Sequence, residues 1–165
     1  AIALFLQLDE HYFDAKIHNG NSILRPIHYP AIIEEPNDAI RAGEHEDINL
    51  ITLLVGASAD GLEVLNKNNE WIGVTEVEDH IIVNVGDMLE RLTNDRLKST
   101  THRVINPPKE EWSSPRFSIP FFLHPRPEVL LNSLDSCCTA NNPKKYEDCT
   151  ANEFLIQRLT EIGLL

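Results

Sequence analysis

The sequence predicts a mainly β chain with flanking helices, folded as a jelly roll, and three observations predict it. Short runs of β-branched and aliphatic residues recur through the middle of the chain, as in Ile51-Thr52-Leu53-Leu54 and Ile81-Ile82-Val83-Asn84-Val85. Turn-forming residues separate these runs, as at Lys67-Asn68-Asn69-Glu70, where Asn tolerates the positive φ that a hairpin turn needs. Helical spacing is confined to the two ends. At 165 residues the chain is one domain by length, 1–165, large enough to bury a hydrophobic core.

The elements follow in order. Residues Ile2 to Ile17 carry Phe5, Leu6, Leu8, Phe13 and Ile17 at loosely helical spacing, which predicts a helix laid on a sheet and ending at His18-Asn19-Gly20-Asn21. Ser22 to Tyr29 reads as a strand that Pro26 restricts to an edge or a bulge. Glu44 to Leu54 reads as a further strand, with His45 and Asp47 on one face because residues two apart share a side. Gly61 to Leu65 and Trp71 to Val74 form a hairpin, and Ile81 to Val85 is a buried strand. Asp87-Met88-Leu89-Glu90 is a capping-box pattern that predicts a short helix, broken at Asn94-Asp95. Thr101 to Ile105 and Arg116 to Leu123 are the last strands. A second capping box, Thr150 to Glu153, opens a terminal helix over about 151–162, with Leu155, Leu159 and Ile162 on its apolar stripe.

Composition excludes several function classes. With 26 acidic against 14 basic residues the formal charge is −12, which repels a phosphate backbone, so no nucleic-acid partner is expected. The apolar run Ala1 to Leu6 is too short to span a bilayer and lacks the basic flank of a signal peptide. A cytoplasmic chain with no membrane partner is the expectation. The three cysteines, Cys137, Cys138 and Cys149, match no zinc spacing and read as reduced thiols. The chain opens on Ala1 rather than Met, inside an apolar run, and is expected to be a fragment. No Gly-rich phosphate loop and no Gly-x-Ser-x-Gly elbow occurs.

The residues that carry chemistry are His45, Asp47 and His102. Two imidazoles and one carboxylate on one side of a metal leave coordination positions open, which suits non-haem Fe(II) and O2. In Arg116-Phe117-Ser118 the period of two puts a guanidinium and a hydroxyl on one face, a fork able to hold a carboxylate. The other histidines, His11, His18, His28, His80 and His124, lie beside charged, turn or proline residues and read as structural or solvent-facing. Asn84 and Glu63 read as strand residues that pack and pair.

These stretches resemble the Fe(II)/2-oxoglutarate-dependent dioxygenases of the isopenicillin N synthase-like family, specifically their C-terminal catalytic portion. The resemblance rests on Leu24 to Pro30, His45-Glu46-Asp47, Asp60 to Val64, Val83 to Asp87, Lys98 to Val104, Arg116-Phe117-Ser118 and His124-Pro125. It implies the double-stranded β-helix of the cupin-like jelly roll, and a missing N-terminal portion. It further implies Fe(II) held by His45, Asp47 and His102, with the distal carboxylate of the co-substrate 2-oxoglutarate on Arg116 and Ser118 and Tyr29 contributing. The activity implied is oxidative decarboxylation of 2-oxoglutarate coupled to hydroxylation, desaturation or cyclisation of a small organic substrate. Two alternatives stay open: a same-fold Fe(II) oxidase that does not use 2-oxoglutarate, and a non-catalytic jelly-roll module holding Zn(II).

Overall fold

The computed structural model describes residues 1–75 and 79–165. Its strands are β1 (Ile23–Leu24), β2 (Ile27–Tyr29), β3 (Ala42–His45), β4 (Ile51–Ala57), β5 (Leu62–Leu65), β6 (Trp71–Gly73), β7 (Ile81–Val85), β8 (His102–Val104) and β9 (Arg116–Leu123). They form two antiparallel sheets. One has the order β1-β9-β4-β7 with β2 also paired to β9, and the other the order β3-β8-β5-β6. Among the described residues four α-helices accompany them: α1 (Ile2–Phe5), α2 (Asp14–Ile17), α3 (Asp87–Leu92) and α4 (Ala151–Glu161). This is the predicted jelly roll.

The period of two along the larger sheet sorts its side chains between two environments. Thr52, Leu54, Ile82, Asn84, Arg116 and Ser118 turn inward and line a cavity whose opposite wall includes Ala42, His45, Leu62 and His102 of the smaller sheet. Val55, Ile81, Val83, Phe117 and Ile119 turn outward, each between 45% and 62% exposed. The space between the sheets is therefore a cavity rather than a packed apolar core. The apolar core lies beside it, where Leu6, Leu50, Leu89, Leu92, Leu131 and Phe154 pack together from α1, α3, α4 and the connecting loops. Each such burial contributes about 1.5–3 kcal/mol.

Several expectations are corrected. The helix predicted from Ile2 to Ile17 is two short helices, because Gln7 takes a φ of 60° and the Leu8 amide turns back to the Ala3 carbonyl. The Asp9 carboxylate then accepts from the His11 amide, a local bond that competes with helix continuation. Leu6 packs into the helical core, while Leu4 and Phe5 stay more than half exposed. The strand predicted from Ser22 to Tyr29 is β1 and β2, interrupted at Arg25-Pro26, and both pieces pair with β9.

The strand predicted from Glu44 to Leu54 does not run through. β3 ends at His45, the chain crosses between the sheets over 46–50, and β4 begins at Ile51 in the other sheet. Asp47 and Asn49 are both buried in that crossing and bond locally, which replaces ladder pairing.

Asp87 is also not a cap. Gly86 occupies the N-cap of α3 without a side-chain bond, and Glu90 accepts from the Ser99 amide instead. The free amides at this helix start are satisfied by the crossing segment: Asp87 donates to the Asp47 carbonyl at 2.7 Å, and Met88 to those of Ile48 and Asn49 at 3.2 Å. Gly86 is needed for this close approach. A Cβ there would stand 2.3 Å from the Asn49 carbonyl oxygen and 2.8 Å from that of Asp47.

At the C-terminus the Thr150–Glu153 capping box is present. The fully buried residues of α4 are Ala151 and Phe154; of the predicted stripe of Leu155, Leu159 and Ile162, Leu155 packs partly buried against the core, while Ile162 is 54% exposed. Those three side chains line a second cavity. Among the described residues no helix is long and apolar enough to cross a membrane.

Candidate metal centre

Backbone pairing brings the two histidines together. β3 and β8 are antiparallel neighbours in which His45 lies opposite His102, and the imidazole centroids are 4.3 Å apart. Each ring is oriented by its own backbone. His45 Nδ1 lies 2.8 Å from the Gly43 carbonyl and His102 Nδ1 lies 2.9 Å from that of Thr100. A carbonyl only accepts, so both Nδ1 atoms carry the proton and both Nε2 lone pairs are free to ligate.

Asp47 reaches the pair from the crossing between the sheets. Its Oδ1 lies 3.9 Å from His45 Nε2 and 3.8 Å from His102 Nε2, too long for hydrogen bonds. The other oxygen, Oδ2, accepts from the Thr52 hydroxyl at 2.6 Å and from the Asn84 amide at 2.9 Å. Asn49 in turn donates to the Thr52 oxygen at 3.0 Å, which leaves the Thr52 proton for Asp47. One carboxylate oxygen is anchored and the other faces the Nε2 atoms of the two imidazoles. One ligand atom from each of His45, Asp47 and His102 lies within 4.8 Å of the others. This donor set fits a divalent ion such as Fe(II) and leaves positions open. Glu46 points elsewhere, accepting from the Thr101 hydroxyl.

The residues of the candidate anion clamp lie on β9 and β2. Tyr29 lies opposite Arg116 and Ile27 opposite Ser118 in the antiparallel register. Arg116 is 2% exposed and Ser118 is 6% exposed. Arg116 Nε donates to the Ala59 carbonyl at 2.9 Å, its carbon lies 5.3 Å from the Tyr29 ring centroid, and Nη1 is buried without a partner. A buried guanidinium with an orphan donor is complementary to a carboxylate. Arg116, Ser118, Tyr29 and the three candidate ligands all line one cavity of about 320 Å³.

His45 and Asp47 also line the second cavity, of about 810 Å³, with Arg25, Phe122, His124 and the apolar residues of α4. Burial holds the His124 imidazole below its ordinary pKa, with the charge of Asp47 opposing. The candidate metal ligands His45 and Asp47 thus lie where a smaller inner cavity and a larger outer one meet.

The three side chains expected as metal ligands do converge, and their supports are residues the sequence did not single out. Thr52 and Asn84 are register partners across β4 and β7, and both converge on Asp47. The available signal was a polar side chain inside each apolar strand. Arg41 was missed as well; it lines the inner cavity just before β3.

Comparison with known proteins bears on the same residues. The family model described as 2OG-Fe(II) oxygenase superfamily matches residues 20–125, a span containing all the side chains above except those of α4. The 2-oxoglutarate-Fe(II) type oxidoreductase hxnY of Emericella nidulans is 36% identical over 157 residues, covering 93% of this chain and 44% of that protein. The proline hydroxylase buaE of Petromyces alliaceus is 37% identical over 169 residues, covering 98% of this chain and 53% of that protein. Among solved structures, a full-length Neurospora crassa protein in complex with alpha-KG and thymine superimposes with a TM-score of 0.89 at 39% identity, covering 98% of this chain and 50% of that one. A Caulobacter crescentus structure gives a TM-score of 0.91 at 48% identity, covering 98% of this chain and 52% of that one. The chain spans about half the length of the relatives it matches.

Proposed function

Because the chain belongs to the 2OG-Fe(II) oxygenase superfamily, we propose that it is the catalytic portion of an oxygenase that couples decarboxylation of 2-oxoglutarate to oxidation of a small organic substrate. Hydroxylation is the default outcome, with desaturation or cyclisation as variants. The observation that carries this reading is the convergence of His45 Nε2, Asp47 Oδ1 and His102 Nε2 beside a buried, partly unpartnered arginine. Fe(II) held by those three residues would supply the activation of dioxygen.

The chain's own residues supply the rest. Thr52 and Asn84 hold Asp47 Oδ2, so that Oδ1 stays turned to the histidines. The backbone carbonyls of Gly43 and Thr100 fix both imidazole tautomers. Arg116 and Ser118 bind the distal carboxylate of 2-oxoglutarate, with the Tyr29 ring flanking the guanidinium. Ile27, Leu54, Leu62, Val104 and Pro120 give the inner cavity apolar walls that limit water around the reacting groups. The outer cavity holds the substrate, and its size of about 810 Å³ suits a small molecule. The proline hydroxylase relative and the thymine-bound Neurospora structure support a small organic substrate. A net charge of −12 and three free cysteines support a cytoplasmic protein with no nucleic-acid partner.

Anaerobic titration of the iron-loaded protein with 2-oxoglutarate tests this, read by the visible charge-transfer absorption of the ternary complex. A saturable band at one equivalent is expected. Iron bound without any band favours a same-fold oxidase in which Arg116 and Ser118 hold the substrate's own carboxylate. Tightly held zinc with no oxygen uptake favours a binding module.

A further inference from the structure

Arg41 lies beside Arg116 in the wall of the inner cavity, and the two guanidiniums share the Tyr29 ring, at 5.9 Å and 5.3 Å from its centroid. Arg41 Nε and Nη1 are buried with no hydrogen-bond partner, and Nη2 makes one 3.3 Å contact to the Ser114 carbonyl. Arg116 Nη1 is equally orphaned. Among the described residues no carboxylate pairs with either arginine, and the only acid lining the cavity is Asp47, which faces the histidines. Burial, and after it the positive charge of Arg116, hold the Arg41 guanidinium below its ordinary pKa. Two like charges with three unpaired buried donors between them form an arrangement that costs free energy until an anion arrives.

We propose that Arg41 is a second co-substrate-binding residue, which with Arg116 and Ser118 grips the distal carboxylate of 2-oxoglutarate. This rests on the oxygenase reading above. A carboxylate offers about four lone-pair sites, more than one guanidinium edge and one hydroxyl can fill. A second fork fills the remainder and matches the added negative charge. Among the described residues, Arg25, Arg41 and Arg116 against Asp47 leave the cavity wall two positive charges in excess, before any metal is counted. The site is thereby selective for a dicarboxylate over a keto acid with an uncharged tail.

The test is calorimetric titration of the Mn(II)-loaded chain with 2-oxoglutarate, for the wild type, Arg41→Met and Arg41→Lys. Arg41→Met is expected to weaken 2-oxoglutarate binding at least about tenfold. Arg41→Lys, which keeps the charge and loses the fork, recovers part of that loss. Mn(II) affinity stays unchanged in both variants, and the ligand-free Arg41→Met melts no lower than the wild type because a like-charge contact has gone. If Arg41→Met binds 2-oxoglutarate within about twofold of the wild type, or loses Mn(II) affinity and melting temperature together, the inference is overturned while the oxygenase reading stands. A wild type that takes Mn(II) but no 2-oxoglutarate overturns both.

Discussion

Replacing Thr52 by Val isolates what the anchored oxygen of Asp47 contributes to metal binding. The side chain is 4% exposed and nearly isosteric with Val, so the change removes a hydroxyl without opening a cavity. It deletes the 2.6 Å bond to Asp47 Oδ2 and leaves only the 2.9 Å bond from Asn84. A hydrogen bond to a charged group is worth about 1.5–3 kcal/mol, and part of that is already present without metal. Loss of an outer partner to a metal ligand costs about 10–100-fold in affinity. We therefore expect Thr52→Val to raise the Fe(II) dissociation constant by about 10–100-fold, and to lower unfolding stability by about 1–2 kcal/mol. Competition with a chromophoric chelator under anaerobic conditions measures the first, and urea unfolding the second. Asn84→Leu shares the same oxygen, so the double variant should depart from additivity by more than about 0.5 kcal/mol. A Thr52→Val protein that binds Fe(II) within about threefold of the wild type would refute the idea that this bond orients Asp47.

Gly86→Ala drives a Cβ into the carbonyls of Asn49 and Asp47, and should cost about 1–3 kcal/mol of stability while weakening metal binding, both readable by the same assays. Leu89→Ala is its contrast: a 1% exposed core residue whose truncation should cost about 2–5 kcal/mol yet leave the affinity of the folded protein for metal unchanged. Asp95 gives a pH signature away from the site. Burial alone would raise its pKa, but the bonds from Lys145 and Tyr146 and the charge of Lys98 outweigh it and hold the carboxyl below its usual 3.8. A depressed folded pKa contributes stability that is complete above the unfolded value and is lost as pH falls through the folded one. The melting-temperature gap between the wild type and Asp95→Asn should thus be widest above the ordinary carboxyl range and shrink as the pH falls below it.

The parts of the fold legible in the sequence are those governed by one periodicity. Arg116 and Ser118 share an inward face of β9 because two-residue alternation holds along an unbroken strand, and β9 has the bounds its composition suggests. His45 and Asp47 come together for a different reason from the one their spacing offered. The strand stops at His45, and Asp47 is buried in a crossing fixed by Asn49, Thr52 and the amides of α3. Local periodicity cannot report a chain that changes sheets. Thr52 and Asn84 were illegible because their roles depend on the β4–β7 register, a relation between segments 32 residues apart that neither segment encodes alone. Arg41 was hidden likewise, since its proximity to Arg116 arises only when β3 and β9 face each other across the cavity. The split of the N-terminal helix turns on one left-handed residue, Gln7, for which the sequence carries no glycine or proline signal.

The central claim is that one metal ion is held by His45, Asp47 and His102 while Arg116 acts on the co-substrate alone. Anaerobic Fe(II) binding stoichiometry across the wild type, His102→Ala and Arg116→Met tests it most directly, each protein then being titrated with 2-oxoglutarate. One Fe(II) per wild-type chain is expected, none held by His102→Ala at the same concentration, and one held by Arg116→Met, which should bind 2-oxoglutarate at least about 100-fold more weakly. Equal iron binding by the wild type and His102→Ala would contradict it.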